Sequence, residues 1–502
     1  MPAARPLVLA LDVGTSSVRA LVFDSRGRPL PGLAVHLPYQ PRVAADGTAE
    51  VDPDRLQRLV WRALDQIVNM AGPSARRIAA VGVSTFWHGL LAATPEGAPL
   101  TPLYLWSDMR SWGEAEELRR TLDPEAIRLR TGCPIHPSYW PAKLLWLRER
   151  RPDLWRERVR WESFGDLVFQ HLFGTSRTSL SMASGTGLLE TDARDWDRGL
   201  MRVLAIERLS LPEFGEQEIG LRPTFARRWP ALAGIPWLLA AGDGALANLG
   251  SGCAGPDRRA ITVGTSGALR VMSSEALRAP AGLWRYLLDA RREVVGGAFS
   301  NGGNLYAWLA RTLRVAEPGL ERALSRLRPA STGLTFLPLL AGERAPGYAP
   351  RATGAIAGLT VATSPVQIVR AGLEAVAIEF ARVDQRLNAG LPAPDRVVAS
   401  GAGLLSSRAW LQIMADALGR PVLASRVEEA SSRGAALLAL EAIGIEVADE
   451  RWVLQGRTFE PSAEAHQAYA EALQKQESLY RVLITDGLLT ESGAPAHLHP
   501  QV

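Results

Sequence analysis

The tetrapeptide VGTS occurs twice in this chain, at 13–16 and at 263–266, and each copy stands between short apolar, β-branched runs. Such runs joined by a glycine- and hydroxyl-rich turn are typical of a β-hairpin. Similar strand and helix patterns follow both copies. The chain has 502 residues, more than one hydrophobic core usually covers. The repeat therefore predicts a duplicated α/β architecture rather than a short-period repeat.

Composition argues against nucleic-acid and membrane partners. All but two of the 56 basic residues are arginines, scattered among acids, and no basic block with interleaved aromatics stands out. The net charge of +4 therefore reflects compositional bias. The opening apolar run is interrupted by Asp12, and no run of about 18 apolar residues follows. We expect a soluble, cytoplasmic protein.

The two cysteines, Cys133 and Cys253, lie far apart and form no CxxC pattern. This spacing fits a reducing compartment, with both thiols as inert packing. The chain also lacks a GxxxxGK[ST] phosphate loop. Any nucleotide chemistry must therefore use backbone amides, hydroxyls, arginine and a metal ion.

The first VGTS turn carries groups suited to phosphate. Gly14, Thr15 and Ser16 supply amides and hydroxyls, Asp12 ends the preceding strand, and Arg19 follows on the next. Such a turn can hold phosphate oxygens, and a carboxylate beside it can hold Mg²⁺ through water. For one copy alone, an ordinary hairpin with turn-favouring residues is the better explanation. The second copy has Thr262 in place of the acid, so we expect the metal on one side of a cleft only.

Two strand-to-helix turns add candidates. In "PWLLAAGDGALANLG" an apolar run predicts a buried strand that ends at Asp243, where a carboxylate could take a proton from a substrate hydroxyl. A helix N-cap is the structural alternative. In "SGAGLLSSRAW" the small residues Gly401, Ala402 and Gly403 would let a flat base lie against the backbone, or simply begin a helix.

These segments together resemble the FGGY carbohydrate kinase family, over about residues 7–445. The landmarks, in order, are "LDVGTSSVRALVFD", "WSDMR", "AAGDGALANLG", "ITVGTSGALRV", "FLPLLAGERAP" and "SGAGLLSSRAWLQIMADALGRPV". The resemblance implies a duplicated actin-like ATPase (ribonuclease H-like) fold, an α/β protein with an ATP and sugar cleft between two domains. It implies Asp243 as catalytic base, and Asp12 and Asp243 as metal-linked. It also implies phosphate contacts for Gly14, Thr15, Ser16, Arg19, Gly264 and Thr265, and adenine contacts for Gly401, Ala402 and Ser406. Ala402 departs from the family's paired glycines.

For the sugar, the resemblance points to Trp87, His88, Asp108 and Arg110, in "STFWHGLLA" and "WSDMR". Segments such as "TGCPIHPSYWPAKLLWL" and "LAGERAPGYAPRATGAIAGLT" are most similar to the gluconokinase branch, and Lys143 is a candidate partner for a gluconate carboxylate. His88 and Lys143 could also be structural. The chain has "FWHG" where the gluconokinase-like pattern has a Met-His pair followed by Ser.

The sequence thus predicts an ATP- and Mg²⁺-dependent kinase for a sugar or sugar acid, with D-gluconate to 6-phosphogluconate as the specific hypothesis. The alternatives are a xylulose-, ribulose- or other polyol-type kinase of the family, and an actin-like or chaperone ATPase without a sugar. We expect a sugar-binding and catalytic-base domain at 1–253, a nucleotide-binding domain at 254–446, and an extension at 447–502 with a helix and a frayed tail. A homodimer is compatible with the sequence.

Overall fold

The structure is a computed structural model, and it describes residues 5–315, 319–447 and 452–487. The sequence predicts a solvated tail, rather than a metal site, for His497 and His499, and both lie outside the described residues. Among the helices described, none combines the length and apolar character needed to cross a membrane. Cys133 and Cys253 are both buried, and no disulfide joins them.

The strands, in chain order, are β1 (Leu7–Val13), β2 (Ser17–Phe23), β3 (Pro29–Pro38), β4 (Arg42–Val43), β5 (Ala49–Val51), β6 (Ile78–Thr85), β7 (Leu91–Ala93), β8 (Leu103–Tyr104), β9 (Arg160–Glu162), β10 (Arg177–Thr178), β11 (Leu189–Glu190), β12 (Asp195–Trp196), β13 (Glu213–Phe214), β14 (Gln217–Glu218), β15 (Trp237–Leu238), β16 (Ala241–Gly242), β17 (Arg258–Val263), β18 (Gly267–Ser273), β19 (Trp284–Leu287), β20 (Glu293–Phe299), β21 (Thr335–Leu337), β22 (Ala355–Ala357), β23 (Arg396–Ser400), β24 (Val422–Ala424) and β25 (Arg457–Phe459).

The α-helices are α1 (Pro53–Ala71), α2 (Trp112–Thr121), α3 (Pro124–Thr131), α4 (Trp140–Arg150), α5 (Phe164–Phe173), α6 (Leu180–Ser184), α7 (Arg198–Leu204), α8 (Pro223–Arg228), α9 (Asp243–Gly250), α10 (Gly303–Leu313), α11 (Leu320–Arg326), α12 (Pro365–Asn388), α13 (Ala402–Leu405), α14 (Arg408–Leu418), α15 (Ala430–Ala442) and α16 (Ala463–Tyr480).

Two mixed sheets organise the chain. The first has the order β14-β15-β6-β1-β2-β3, with β16 also paired to β6, and the second has the order β19-β20-β18-β17-β23-β24-β25. In both, the VGTS hairpin is antiparallel and its first strand runs parallel to a later strand. The central strand β1 is buried along its whole length, as expected for a strand covered on both faces. The predicted duplication is confirmed.

The duplication extends to single residues. Asp12 on β1 pairs with Ser84 on β6, and Thr262 on β17 pairs with Ser400 on β23. Asp12 and Thr262 therefore occupy equivalent places in the two sheets. The equivalent positions differ in chemistry, because only the first sheet carries a carboxylate there.

Two helices from different halves of the chain cross at glycines. A Cβ on Gly250 of α9 would lie 1.8 Å from the Ala430 carbonyl oxygen, and one on Gly434 of α15 would lie 2.0 Å from that of Leu246. Gly82 of β6 is equally close to the Ala435 carbonyl oxygen. Helix α15 therefore packs on α9 and on the first sheet, although most of its sequence neighbours belong to the second.

Replacing Gly434 with alanine should destabilise the fold, since the atoms in its way are backbone. We expect G434A to lower the free energy of unfolding by about 2 kcal/mol or more, measured by urea denaturation. A methyl group on Gly113 in α2 would instead point into open space. The matched variant G113A should therefore be neutral or slightly stabilising. Equal effects of the two variants would contradict this account.

Candidate functional site

Asp12 lies at the end of β1, where two further chain segments meet it. Its Oδ2 is 3.4 Å from Arg19 Nη1 and 3.5 Å from Ser432 Oγ. Its Oδ1 is buried and accepts no hydrogen bond from any described residue. Burial raises the pKa of Asp12, while the nearby Ser84 hydroxyl and the Arg19 charge oppose that rise.

Asp243 is the first residue of α9, and Gly242, rather than Asp243, is the N-cap. The single strand predicted before it is wrong in detail, because the run forms two short strands, β15 and β16, that both pair with β6. Between these two strands the pairing with β6 is interrupted, and Leu239 N donates to the Glu216 carbonyl instead. Burial and the charge of Asp12 raise the pKa of Asp243 to about 6, and Arg270 opposes them.

Arg270 was missed at the sequence level. It lies on β18, the outgoing strand of the second VGTS hairpin, as Arg19 does on the first. Its Nη1 is 3.3 Å from Thr262 Oγ1. Burial lowers the pKa of Arg270 to about 10, and Asp243 opposes that shift. Each outgoing strand carries an arginine, but superposing the two VGTS copies aligns Arg19 with Leu269 rather than with Arg270.

The start of α15 also reaches this carboxylate pair. Ser431 Oγ donates to the Asp243 carbonyl at 3.2 Å, and the preceding Glu429 carboxylate is 3.4 Å from Arg19. No motif in "EEASSRGAALLAL" predicts this. The packing of α15 against α9 brings these groups to Asp12 and Asp243.

The donor set fits a phosphate-bound Mg²⁺. The described residues contain no group of three or more His, Cys, Asp or Glu side chains able to hold a metal ion alone. Mg²⁺ usually keeps several waters and takes one or two carboxylates together with substrate phosphates. The unpartnered Oδ1 of Asp12, with Asp243 beside it, matches that requirement.

The second VGTS turn meets the starts of two helices. Gly303 N donates to the Gly264 carbonyl at 2.9 Å, and Asn304 N to that of Thr265 at 3.0 Å. Gly401 has φ +90°, and a Cβ there would be 2.5 Å from the Val263 carbonyl oxygen. Only glycine suits this position, and it brings the neighbouring Ala402 beside the turn. Ser406, one helical turn on, is exposed, with Oγ 3.0 Å from the Gly403 carbonyl.

The first VGTS turn is held by two hydrogen bonds. Gly14 N donates to the Ser17 carbonyl at 2.9 Å, and the Tyr39 hydroxyl donates to the Gly14 carbonyl at 2.6 Å. Thr15 is half-buried and Ser16 is exposed. The turn is thus fixed by its backbone and by Tyr39.

Trp87 packs directly beside Asp243. A Cβ on Gly242 would lie 1.8 Å from the Trp87 ring, and one on Gly244 would lie 2.8 Å from it. The indole Nε1 donates to the Ser181 carbonyl at 2.8 Å. Tyr286 of β19, from the second sheet, packs against the ring with a centroid distance of 4.8 Å. An aromatic wall built from both halves therefore adjoins the carboxylates.

His88 has φ +67°, a left-handed conformation uncommon outside glycine. Its Nδ1 lies 2.5 Å from the Gly185 carbonyl and must donate to it, which makes Nε2 the acceptor of the neutral ring. Burial and the Arg344 charge hold the pKa of His88 well below 6.5. The side chain is thus a neutral, oriented imidazole.

Asp108 and Arg110 bind each other. Arg110 Nη2 donates to Asp108 at 2.6 Å and to Glu50 at 2.7 Å, and its guanidinium stacks on Trp146 at 4.9 Å. Asp108 also accepts from Ala49 N at 3.0 Å. The pair is therefore part of a largely buried network whose charges are already matched.

Lys143 is buried, and its ammonium donates to the carbonyls of Pro137 at 2.8 Å and Ser138 at 2.5 Å. Burial lowers its pKa to about 7, with Asp108 opposing the shift. These contacts tie the start of α4 to the preceding turn. They occupy two of the three ammonium donors.

Arg344 reaches the same region from the second half of the chain. It is 8% exposed and stacks over Trp106 at 5.0 Å. Among the described residues it forms no ion pair, and its Nε has no acceptor. Its charge acts on His88, Lys143 and Asp243. The segment "LAGERAP" was noted in the sequence, but without a role for this arginine.

The comparisons with known proteins show the family of the chain. Models of the FGGY family of carbohydrate kinases match residues 7–250 (N-terminal domain) and 259–443 (C-terminal domain). The chain belongs to the FGGY family of carbohydrate kinases. It is similar to the gluconokinase of Bacillus subtilis (strain 168), at 29% identity over 87% of this chain and 88% of that protein. It is also similar to the glycerol kinase of Citrifermentans bemidjiense, at 31% identity over 94% and 96%.

A solved gluconate kinase from Lactobacillus acidophilus superposes with a TM-score of 0.88 and 24% identity, covering 96% of this chain and 98% of that one. Such FGGY kinase structures have the duplicated actin-like ATPase fold, and this chain shares it. Carbohydrate kinases of this family use ATP and a sugar-type substrate.

The shifted pKa of Asp243 has a consequence for stability. A folded pKa of about 6, against an ordinary value of 3.8, means that the native state holds the proton more tightly than the unfolded chain does. Stability at this group therefore falls as pH rises from 3.8 to about 6 and stays lower above that. We expect Asp243→Asn to stabilise the unliganded protein by about 1–2 kcal/mol at pH 8, and less at pH 5. Thermal unfolding at the two pH values tests this, and an equal gain at both would contradict it.

Proposed function

We propose that this kinase transfers the γ-phosphoryl group of ATP to the primary hydroxyl of an open-chain sugar acid, most specifically D-gluconate to 6-phosphogluconate. The observation that carries the phosphoryl transfer is the Asp12–Asp243 pair, set between two VGTS turns in a chain of this family. The sugar-acid hypothesis rests on Arg344, a buried guanidinium that no described carboxylate neutralises.

Asp243 is the proposed general base. With a pKa of about 6 it is ionised near neutral pH, yet basic enough to accept a hydroxyl proton as the oxygen attacks phosphorus. Asp12 and Asp243 would hold Mg²⁺, which supplies charge neutralisation between the phosphates. Arg19 and Arg270, one on each outgoing hairpin strand, would stabilise charge that develops on the transferring group.

The ATP phosphates would lie between the turns, against Gly14, Thr15 and Ser16 on one side and Gly264 and Thr265 on the other. Adenine would lie by Gly401, Ala402 and Ser406, where the glycine allows close approach to the backbone. Closure of the two halves on the substrates would exclude water that otherwise hydrolyses ATP.

The sugar would occupy the space next to Trp87 and His88. The neutral His88 Nε2 can accept from a hydroxyl, while Arg344 can bind a carboxylate. Three further residues already have partners and would contribute mainly by shaping the space around the sugar: Asp108, Arg110 and Lys143. A gluconokinase is among the similar proteins, but so is a glycerol kinase, which leaves xylulose-, ribulose- and other polyol-type activities as alternatives.

We also propose the division into a sugar-binding unit at 1–253, a nucleotide-binding unit at 254–446 and an extension from 447. Helix α15 modifies it, because α15 packs on the first sheet. The extension includes α16, whose Tyr480 hydroxyl is 2.5 Å from Glu343 Oε2, next to Arg344. We infer action in a reducing cytoplasm, since the two cysteines are buried and no disulfide joins them.

Asp243→Asn should abolish transfer while ATP still binds, because the amide cannot take the hydroxyl proton. We expect kcat to fall by about 10³-fold or more in a coupled ADP-release assay, with nucleotide affinity measured by calorimetry changed less than about threefold. Activity within about tenfold of wild type would reject Asp243 as the base.

A substrate screen tests the acid hypothesis. Wild type should prefer D-gluconate over D-xylulose, D-ribulose and glycerol in kcat/KM. Arg344→Gln should raise KM for gluconate by about 10- to 100-fold, because a charge-assisted hydrogen bond is lost, with little change in KM for ATP. Strong activity on a neutral ketose and none on gluconate would reject the specific proposal but not the kinase assignment.

A further inference from the structure

His136 lies in the turn between α3 and α4 and is 2% exposed. Its Nδ1 is 3.1 Å from the backbone nitrogen of Ser138 and 3.0 Å from that residue's hydroxyl. A backbone N–H can only donate, so Nδ1 is the acceptor. The proton of the neutral ring is therefore on Nε2.

That Nε2 has no hydrogen-bond partner among the described residues and is buried. Burial, with the charges of Arg119 and Arg344, keeps the pKa of His136 well below 6.5, so the ring is neutral. Buried polar groups in native proteins are normally paired. An unpaired N–H donor of this kind can bind an acceptor that comes from outside the chain.

Two further donors without partners stand close by. The His136 ring packs edge-on against Tyr348, with centroids 5.7 Å apart. Tyr348 closes a turn with Arg344, since its backbone nitrogen donates to the Arg344 carbonyl at 2.6 Å. The Tyr348 hydroxyl and Arg344 Nε are buried without hydrogen-bond partners among the residues the structure covers.

Arg119 holds the two segments together. Its guanidinium donates to the Ile135 carbonyl, next to His136, at 2.7 Å and to the Tyr348 carbonyl at 2.8 Å. His136, from the first half of the chain, and Arg344 with Tyr348, from the second, are thus fixed in one place. The surroundings are donor-rich and positive, with Lys143 also within electrostatic reach.

We propose that His136 Nε2, together with Arg344 and the Tyr348 hydroxyl, binds the carboxylate of the sugar acid, which makes His136 a specificity-determining residue. An ionised carboxylate offers only acceptors and satisfies all three donors at once. In an open-chain sugar acid, this carboxylate and the primary hydroxyl presented to Asp243 are at opposite ends of the molecule. This inference rests on the proposed sugar-acid kinase activity.

Two variants separate the ring nitrogens. His136→Asn keeps an acceptor near the Nδ1 position and removes the Nε2 donor, while His136→Gln places an amide donor near Nε2. The probes are D-gluconate and D-glucitol, in which a hydroxymethyl group replaces the carboxylate. We expect H136N to raise KM for gluconate by about 10- to 100-fold, to lower the gluconate/glucitol ratio of kcat/KM by a similar factor, and to leave KM for ATP unchanged. H136Q should recover part of that ratio.

His171 provides the control, because both of its ring nitrogens already have partners, Gln57 at 2.7 Å and the Gly97 carbonyl at 2.8 Å. H171N should lower thermal stability and leave the gluconate/glucitol ratio unchanged. A wild type that prefers gluconate, combined with an unchanged ratio in H136N, would overturn the role of His136 alone. A wild type that prefers neutral substrates would overturn the proposed function and this inference with it.

Discussion

The crossing of α9 and α15 is the contact on which the rest of the site depends. Because Gly250 and Gly434 have no side chains, each can lie directly against a backbone carbonyl oxygen of the other helix. Because the helices pack so closely, the first turn of α15 reaches the start of α9, where Ser431 Oγ donates to the Asp243 carbonyl. Asp243 begins one helix, and Ser431 and Ser432 begin the other. The carboxylate of Asp12 meets groups from both.

This placement makes the two carboxylates costly to ionise in the absence of ligand, which suits phosphoryl transfer. Burial raises the pKa of both Asp12 and Asp243, and the charge of Asp12 raises the pKa of Asp243 further. Arg19 and Arg270 compensate only in part. A site that is costly to ionise without ligand gains stabilisation when a cation and phosphates bind, because their charges replace the lost solvent. The two carboxylates therefore lower the stability of the unliganded protein and favour binding of the cation and the phosphates.

The proposed sugar side shows the opposite balance. Asp108 and Arg110 neutralise each other, whereas Arg344, His136 and Tyr348 present donors without acceptors. The donors come from both halves of the chain and are joined by Arg119. In the proposed binding mode, these donors would hold the carboxylate of the substrate while its hydroxyl faces Asp243.

The sequence alone determined the duplicated fold, the family and the residues of the two VGTS turns, because these depend on short local patterns and on their order along the chain. Local pattern also placed Asp243 at a strand-to-helix junction, though not the break between β15 and β16. Tertiary structure decided everything that depends on approach between distant segments. It brought α15 onto the first sheet, Arg270 toward Asp243, and Arg344 over the Trp106 ring. It also showed that Lys143 is held by backbone carbonyls while His136 Nε2 has no partner among the described residues, since hydrogen-bond satisfaction is a property of the packed chain.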